Sequence, residues 1–77
     1  MAEPVVLDTK GLKCPLPVLK ARKAIKGLTP GTVLRVLATD PGAIGDFKHF
    51  CDTTGNLLLA QREDGGILIF DIEKHGA

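Results

Sequence analysis

The stretch Thr32-Val33-Leu34-Arg35-Val36-Leu37-Ala38-Thr39-Asp40-Pro41 decides the fold. Its first eight residues are β-branched or apolar with a single charge, the pattern of a strand covered on more than one side. Asp40-Pro41 closes the strand and opens a helix, with the aspartate as N-cap and the proline at the first helical position. Upstream, Thr29-Pro30-Gly31 forms a turn. Before that turn, Val18, Ala21 or Arg22, Ile25 and Leu28 recur at helical spacing, while Lys20, Lys23 and Lys26 fall on other faces. The helix runs from Pro15 to Gly27, with Gly27 as its C-terminal cap. A short apolar strand, Pro4 to Asp8, precedes it, and Gly11 breaks that strand. Strand, helix and strand make a right-handed parallel unit.

Downstream of Pro41, a second helix carries Ile44, Phe47, Phe50 or Cys51, and Thr54 on one side, and Gly55-Asn56 ends it. Leu57 to Arg62 and Ile67 to Ile72 read as strands joined across Glu63-Asp64-Gly65-Gly66, a hairpin signal. The order β-α-β-α-β-β predicts an α+β two-layer sandwich, a four-stranded mixed sheet with two helices on one face, as a single domain over residues 1–77. Val33 and Leu37 fall out of phase with Leu34, Val36 and Ala38, and Leu57 and Leu59 out of phase with Leu58 and Ala60. A sheet with one wet face alternates apolar and polar residues. The surplus therefore predicts an apolar docking patch on the helix-free face, for a partner or a second copy.

Seventy-seven residues make a thin core, which has to be regular or stapled. Two cysteines 37 positions apart are not the dense framework of a secreted mini-protein. The opening Met1-Ala2-Glu3-Pro4 lacks the pattern of a signal peptide, and the longest apolar run, Leu57-Leu58-Leu59-Ala60, is far below the roughly 20 residues a membrane helix needs. A cytoplasmic, reduced protein is expected, as a monomer or weak dimer. Net charge is only +1, yet residues 9–28 hold Lys10, Lys13, Lys20, Arg22, Lys23 and Lys26 with no acid. That run is either a solvated helix face or a positive field around the thiol of Cys14, and the two are compatible.

Cys14 opens the run Cys14-Pro15-Leu16-Pro17 at the mouth of the first helix. Pro15 and Pro17 fix the backbone there, within a first turn whose amides lack helical partners anyway. The helix terminus, Lys10 and Lys13 favour a thiolate. Against this, the two prolines remove two amide donors, and Asp40 comes to the same sheet edge. A moderately lowered thiol pKa is the expectation. His49 and His75 have no motif tying them to Cys14 as a catalytic base, and His49 reads as a solvated helix residue. No metal site is expected, because two Cys and two His lack paired ligand spacing. A thioredoxin-type motif is absent, since Leu16-Pro17 stand where the resolving cysteine belongs. Cys51 reads as a core residue, with a resolving or second carrier role as the alternative.

The run Leu7-Asp8-Thr9-Lys10-Gly11-Leu12-Lys13-Cys14-Pro15-Leu16-Pro17, continued by Pro30 to Pro41, the Phe47 to Cys51 helix and the glycine-bearing hairpin, resembles the TusA/SirA family of small sulfur-carrier proteins. The resemblance covers nearly the whole chain. It implies that Cys14 accepts sulfane sulfur as a persulfide, with Lys13, Pro15, Pro17 and Asp40 shaping the site. It further implies a cysteine desulfurase or rhodanese-type donor and a downstream acceptor protein, and no cofactor beyond the transient persulfide. Thiolation of tRNA, molybdenum-cofactor biosynthesis and cytoplasmic sulfur oxidation are all routes of that family. Cys51 lies outside the motif.

Two other readings stand beside this one. The first is a regulatory or RNA-binding module that uses the basic helix. Near-neutral total charge and the lack of aromatic residues beside the lysines speak against direct nucleic-acid contact. The second is a thiol switch between Cys14 and Cys51, which needs their Cα atoms within about 7 Å.

Overall fold

The computed structural model describes residues 3–75. Its elements are β1 (Val5–Asp8), α1 (Leu16–Lys26), β2 (Val33–Ala38), α2 (Ala43–Thr54), β3 (Leu57–Asp64) and β4 (Ile67–Glu73). They form one four-stranded mixed sheet in the order β1-β2-β4-β3. Strands β1 and β2 are parallel, and β4 pairs antiparallel with both β2 and β3. The element order and the mixed sheet agree with the sequence expectation.

Alternation along the two central strands explains which face is covered. Leu34, Val36 and Ala38 of β2 and Leu68, Phe70 and Ile72 of β4 are buried and share one face of the sheet. Both helices pack there. Helix α1 contributes Val18, Ala21 and Ile25, and α2 contributes Ala43, Phe47, Phe50 and Cys51, all in a single core cluster. Of the pairs left open, Ala21 is buried and Arg22 exposed, while Phe50 and Cys51 are both buried. Phe47 stacks on Phe70 with ring centroids 4.7 Å apart and meets Phe50 edge-on at 6.5 Å. Such aromatic pairs add about 0.5–1.5 kcal/mol beyond area burial. Ile44 departs from the expected stripe: it is 40% exposed, because the apolar seam of α2 runs through Ala43, Phe47, Phe50 and Cys51 instead.

The hairpin turn is as tight as a two-residue loop allows. Asp64 pairs with Ile67, and Gly65 and Gly66 both have positive φ, 58° and 85°, the conformation an Asp-Gly-Gly turn supplies without strain. A register shift between Leu58 and Ala60 turns Leu59 out of the ladder. Ala60 thereby joins Leu57 on the helix-free face rather than alternating with it, a correction to the simple phase reading. On that face Val33, Leu37, Ile67 and Ile69 are half-buried, and Val6 and Leu57 are more than half exposed. The apolar surplus is real but divided, because Arg35 donates from Nε and Nη2 to both carboxylate oxygens of its cross-strand neighbour Asp71 at 2.8 and 3.2 Å.

Candidate functional site

Parallel pairing of β1 and β2 sends the two following loops out over the same edge of the sheet, the place where open α/β sheets leave a crevice. Here the loops are stitched together. Thr9, fully buried, donates both its amide and its hydroxyl to the Leu37 carbonyl. The Gly11 amide donates to Thr39 Oγ1 at 2.9 Å, and the Cys14 amide to Asp40 Oδ2 at 2.9 Å. Each stitch joins residues 26 or 28 positions apart. Cys14 is therefore positioned by the β2–α2 loop as much as by its own helix.

Pro15 occupies the N-cap of α1 rather than the first helical position, and Pro17 lies within the first turn, buried against the core. Cys14 therefore stands next to the N-cap. The α1 terminus offers the thiol little, since the Leu16 amide donates back to the Lys13 carbonyl at 2.9 Å and Pro17 has no N–H. Cys14 Sγ instead lies beside the start of α2. A Cβ built on Gly42, the N-cap of that helix, would stand 3.4 Å from Sγ.

Asp40 does not cap α2 in the expected way. Its Oδ1 accepts the Gly42 amide at 2.9 Å, and its Oδ2 accepts the Cys14 amide. Each oxygen thus holds one of the two loops. These bonds to the ionised form, with Lys13 nearby, hold the Asp40 carboxyl below the usual carboxylate range.

The thiol itself runs opposite to expectation. Its pKa is raised, to about 11, first by desolvation, then by a hydrogen bond to the Asp46 carboxylate, then by the negative charges of Asp46 and Asp40. Lys10 does not counter this, since its ammonium pairs with Asp8 at 3.9 Å. The expected lowering fails because the sulfur is desolvated, the negative charges of Asp46 and Asp40 oppose its ionisation, and the positive helix end is occupied by prolines and a turn. Asp46, in the first turn of α2, is the site residue that the sequence reading missed. It also lines a groove of about 210 Å³ between the helices, with Pro15, Val18, Arg22, His49 and Phe50.

Both cysteines are free. Cys51 is 6% exposed within the core cluster, as the core reading of that residue anticipates. Burial raises its pKa to about 11 as well. Among the described residues there is no cluster of three or more metal-ligating side chains, and no helix is long and apolar enough to cross a membrane.

The family model described as sulfurtransferase TusA matches residues 5–74, the whole of the sheet and both helices. The chain belongs to the TusA family. Sulfur carrier protein TusA of Allochromatium vinosum is 48% identical over 68 residues, covering 88% of this chain and 90% of that protein. Sulfur carrier protein TusA of Pseudomonas putida strain GB-1 is 42% identical over 69 residues, covering 90% and 86%. The crystal structure of a SirA-like protein from Desulfitobacterium hafniense superposes with a TM-score of 0.82 at 25% identity, covering 92% of this chain and 97% of that one. As a member of the TusA family the chain is a sulfur carrier, working between a donor and an acceptor of sulfur.

Proposed function

We propose that the sulfur travels as a persulfide on Cys14. The observation that supports this reading is the placement of one partly exposed thiol where two stitched loops meet, while the other thiol is buried. In the loading step the Cys14 sulfur attacks the outer sulfur of a donor persulfide. The S–S bond of the donor breaks, its thiolate leaves, and Cys14 now carries S–SH. The proton released from the Cys14 thiol balances the proton taken up by the donor. Delivery repeats this with the acceptor's thiolate as nucleophile and Cys14 as leaving group. No net oxidation occurs in either step, and no resident cofactor is required. A cysteine desulfurase or a rhodanese-type protein is the donor in this reading, and a cytoplasmic acceptor protein takes the sulfur on. Pro15 and Pro17 hold the approach rigid, and Lys13 and Asp40 shape it.

A raised thiol pKa suits a carrier better than a stand-alone catalyst. The ionised fraction falls, but intrinsic nucleophilicity rises with pKa, with a Brønsted slope of about 0.4–0.5. A hundredfold loss of thiolate is therefore offset by about tenfold. In the reverse role, a thiolate of high pKa leaves slowly, so the loaded sulfur is retained until a partner takes it.

Intact-protein mass spectrometry after incubation with a cysteine desulfurase and cysteine tests the proposal. Wild type and Cys51→Ala gain one sulfur, reversed by reductant, and Cys14→Ser gains none. Modification that persists in Cys14→Ser moves the site elsewhere.

A further inference from the structure

We infer that the cavity at the C-terminal end of α1 is a binding site for a small polyanion of the phosphate class, separate from the thiol and independent of how sulfur is carried. The cavity encloses about 300 Å³ where the ends of α1, α2 and β4 meet the start of β3. Helix α1 rises about 15 Å between Leu16 and Lys26, so the cavity opens at the end remote from Cys14.

Charge is the first observation. Arg22, Lys26, Lys74 and His75 line the cavity, and among the described residues no carboxylate does. Nor do Arg22, Lys26 and Lys74 form ion pairs among those residues, since the two salt bridges belong to Lys10 and Arg35. Three full positive charges thus border one space without a counter-charge. A total charge of +1 gives the chain no general attraction for anions, so the concentration is local.

Preorganisation is the second. Arg22 lies over the Phe50 ring, 5.3 Å from its centroid, which restrains the guanidinium. Lys74 Nζ donates to the Lys26 and Leu28 carbonyls, offsetting the negative helix end that would otherwise repel an anion. An ammonium has three donors, so one is left for a ligand. Asn56 Oδ1 accepts the His75 amide at 2.8 Å, and Asn56 Nδ2 donates to Thr54 Oγ1 at 2.9 Å. A Cβ built on Gly55 would stand 3.4 Å from the His75 ring, so that ring is packed against the end of α2. The walls are formed before a ligand arrives, which lowers the ordering cost of binding.

The ligand class follows from these groups. Ile25 and Phe50, at the floor, are 5% and 1% exposed, so recognition falls to the cations. A guanidinium matches phosphate oxygens as a bidentate fork, and ammonium groups add point charges. The volume lies at the lower end of ligand sites, roughly 300–1,000 Å³. It suits a compact group with two or three negative charges, such as pyrophosphate, whereas a monocarboxylate would leave two cations unpaired.

Isothermal titration calorimetry of the full chain with pyrophosphate, at fixed ionic strength, tests the inference against Lys26→Glu and Lys23→Glu. Both lysines are exposed in the last turn of α1, so both variants alter net charge and helix end alike, yet only Lys26 lines the cavity. Melting curves report whether each variant folds. Wild type binds pyrophosphate, and the ligand raises its melting temperature by mass action. Lys26→Glu weakens binding about tenfold or more, while Lys23→Glu, screened by solvent, stays within about threefold of wild type. Where Lys26→Glu does not fold, Arg22→Gln gives the corresponding loss. Wild type that shows neither heat nor a melting shift overturns the site. Equal weakening by Lys26→Glu and Lys23→Glu also overturns it, because that pattern belongs to the helix face as a whole. A single-stranded RNA oligomer is titrated in parallel. RNA binding tighter than pyrophosphate and weakened alike by both variants assigns the charge to a nucleic acid and overturns the cavity as its seat. Each of these failures leaves the persulfide reading untouched.

Discussion

Gly42→Ala separates what the loop junction needs for stability from what it needs for chemistry. Gly42 is the N-cap of α2, yet its dihedrals, φ −62° and ψ −17°, are ordinary right-handed values that alanine adopts freely. Helix α2 has no side-chain cap bond to lose there. The new Cβ would meet Asp40 Oδ1 and Cys14 Sγ at 3.4 Å and Cys14 Cβ at 3.6 Å, which is contact without overlap. Removing glycine's freedom from the unfolded chain is worth about 0.4–1 kcal/mol. For a domain of this size that raises the melting temperature by about 2–8 °C. The methyl group at the same time covers one side of Sγ, so loading of Cys14 by a persulfide donor slows. Thermal unfolding by circular dichroism and timed mass spectrometry of loading measure the two effects on one sample. A melting temperature lower than wild type would refute the assigned backbone and spacing at Gly42. Loading at the wild-type rate would refute the claim that the sulfur leans on that turn.

Wild-type Cys14 alkylates with a pH midpoint near 11, its thiolate about a hundredfold scarcer at neutral pH than that of a thiol at 9.0; a midpoint below 9.0 contradicts the placement of the two carboxylates. Asp40, held ionised by two backbone amides, adds stability that is present above the unfolded carboxylate pKa of about 3.9 and lost as pH falls through its lower folded value. Asp40→Asn therefore flattens the acid limb of the stability curve, measured by urea unfolding from pH 2 to 7, and an unaltered limb would count against those bonds. Phe47→Ala removes a side chain of zero exposure stacked on Phe70 and costs about 3–5 kcal/mol. That is a large part of the roughly 4–12 kcal/mol a chain this size possesses, and a loss below 2 kcal/mol in urea would show a looser core. Cys51→Ser buries a hydroxyl among apolar neighbours and lowers urea stability by about 1–3 kcal/mol, whereas a neutral result would mean water reaches that position.

The elements were legible because each is written in a few adjacent residues. The i, i+3 and i+4 spacing of Val18, Ala21 and Ile25 requires no knowledge of what lies opposite. The same holds for alternation along Val33–Ala38 and for the paired glycines of the hairpin. Cys14 as the candidate was equally local, carried by Cys14-Pro15-Leu16-Pro17 and its place before a helix. Ile44 misled because its spacing fits the stripe almost as well as Ala43 does, and only packing against the sheet separates the two. Leu59 misled because a bulge is a property of two strands, not of one.

Sequence alone therefore determined the order of elements, the mixed sheet and the residue that presents the thiol. Tertiary structure alone decided what that thiol experiences. The lysines that crowd Cys14 in sequence do not set the direction of its shift; desolvation does so first, followed by Asp46 and Asp40, 32 and 26 positions away. The reason is physical: hydrophobic periodicity is a short-range code, but a thiol's acidity depends on charges within a few ångströms. Parallel pairing of β1 with β2 and the packing of α2 beside α1 choose those charges.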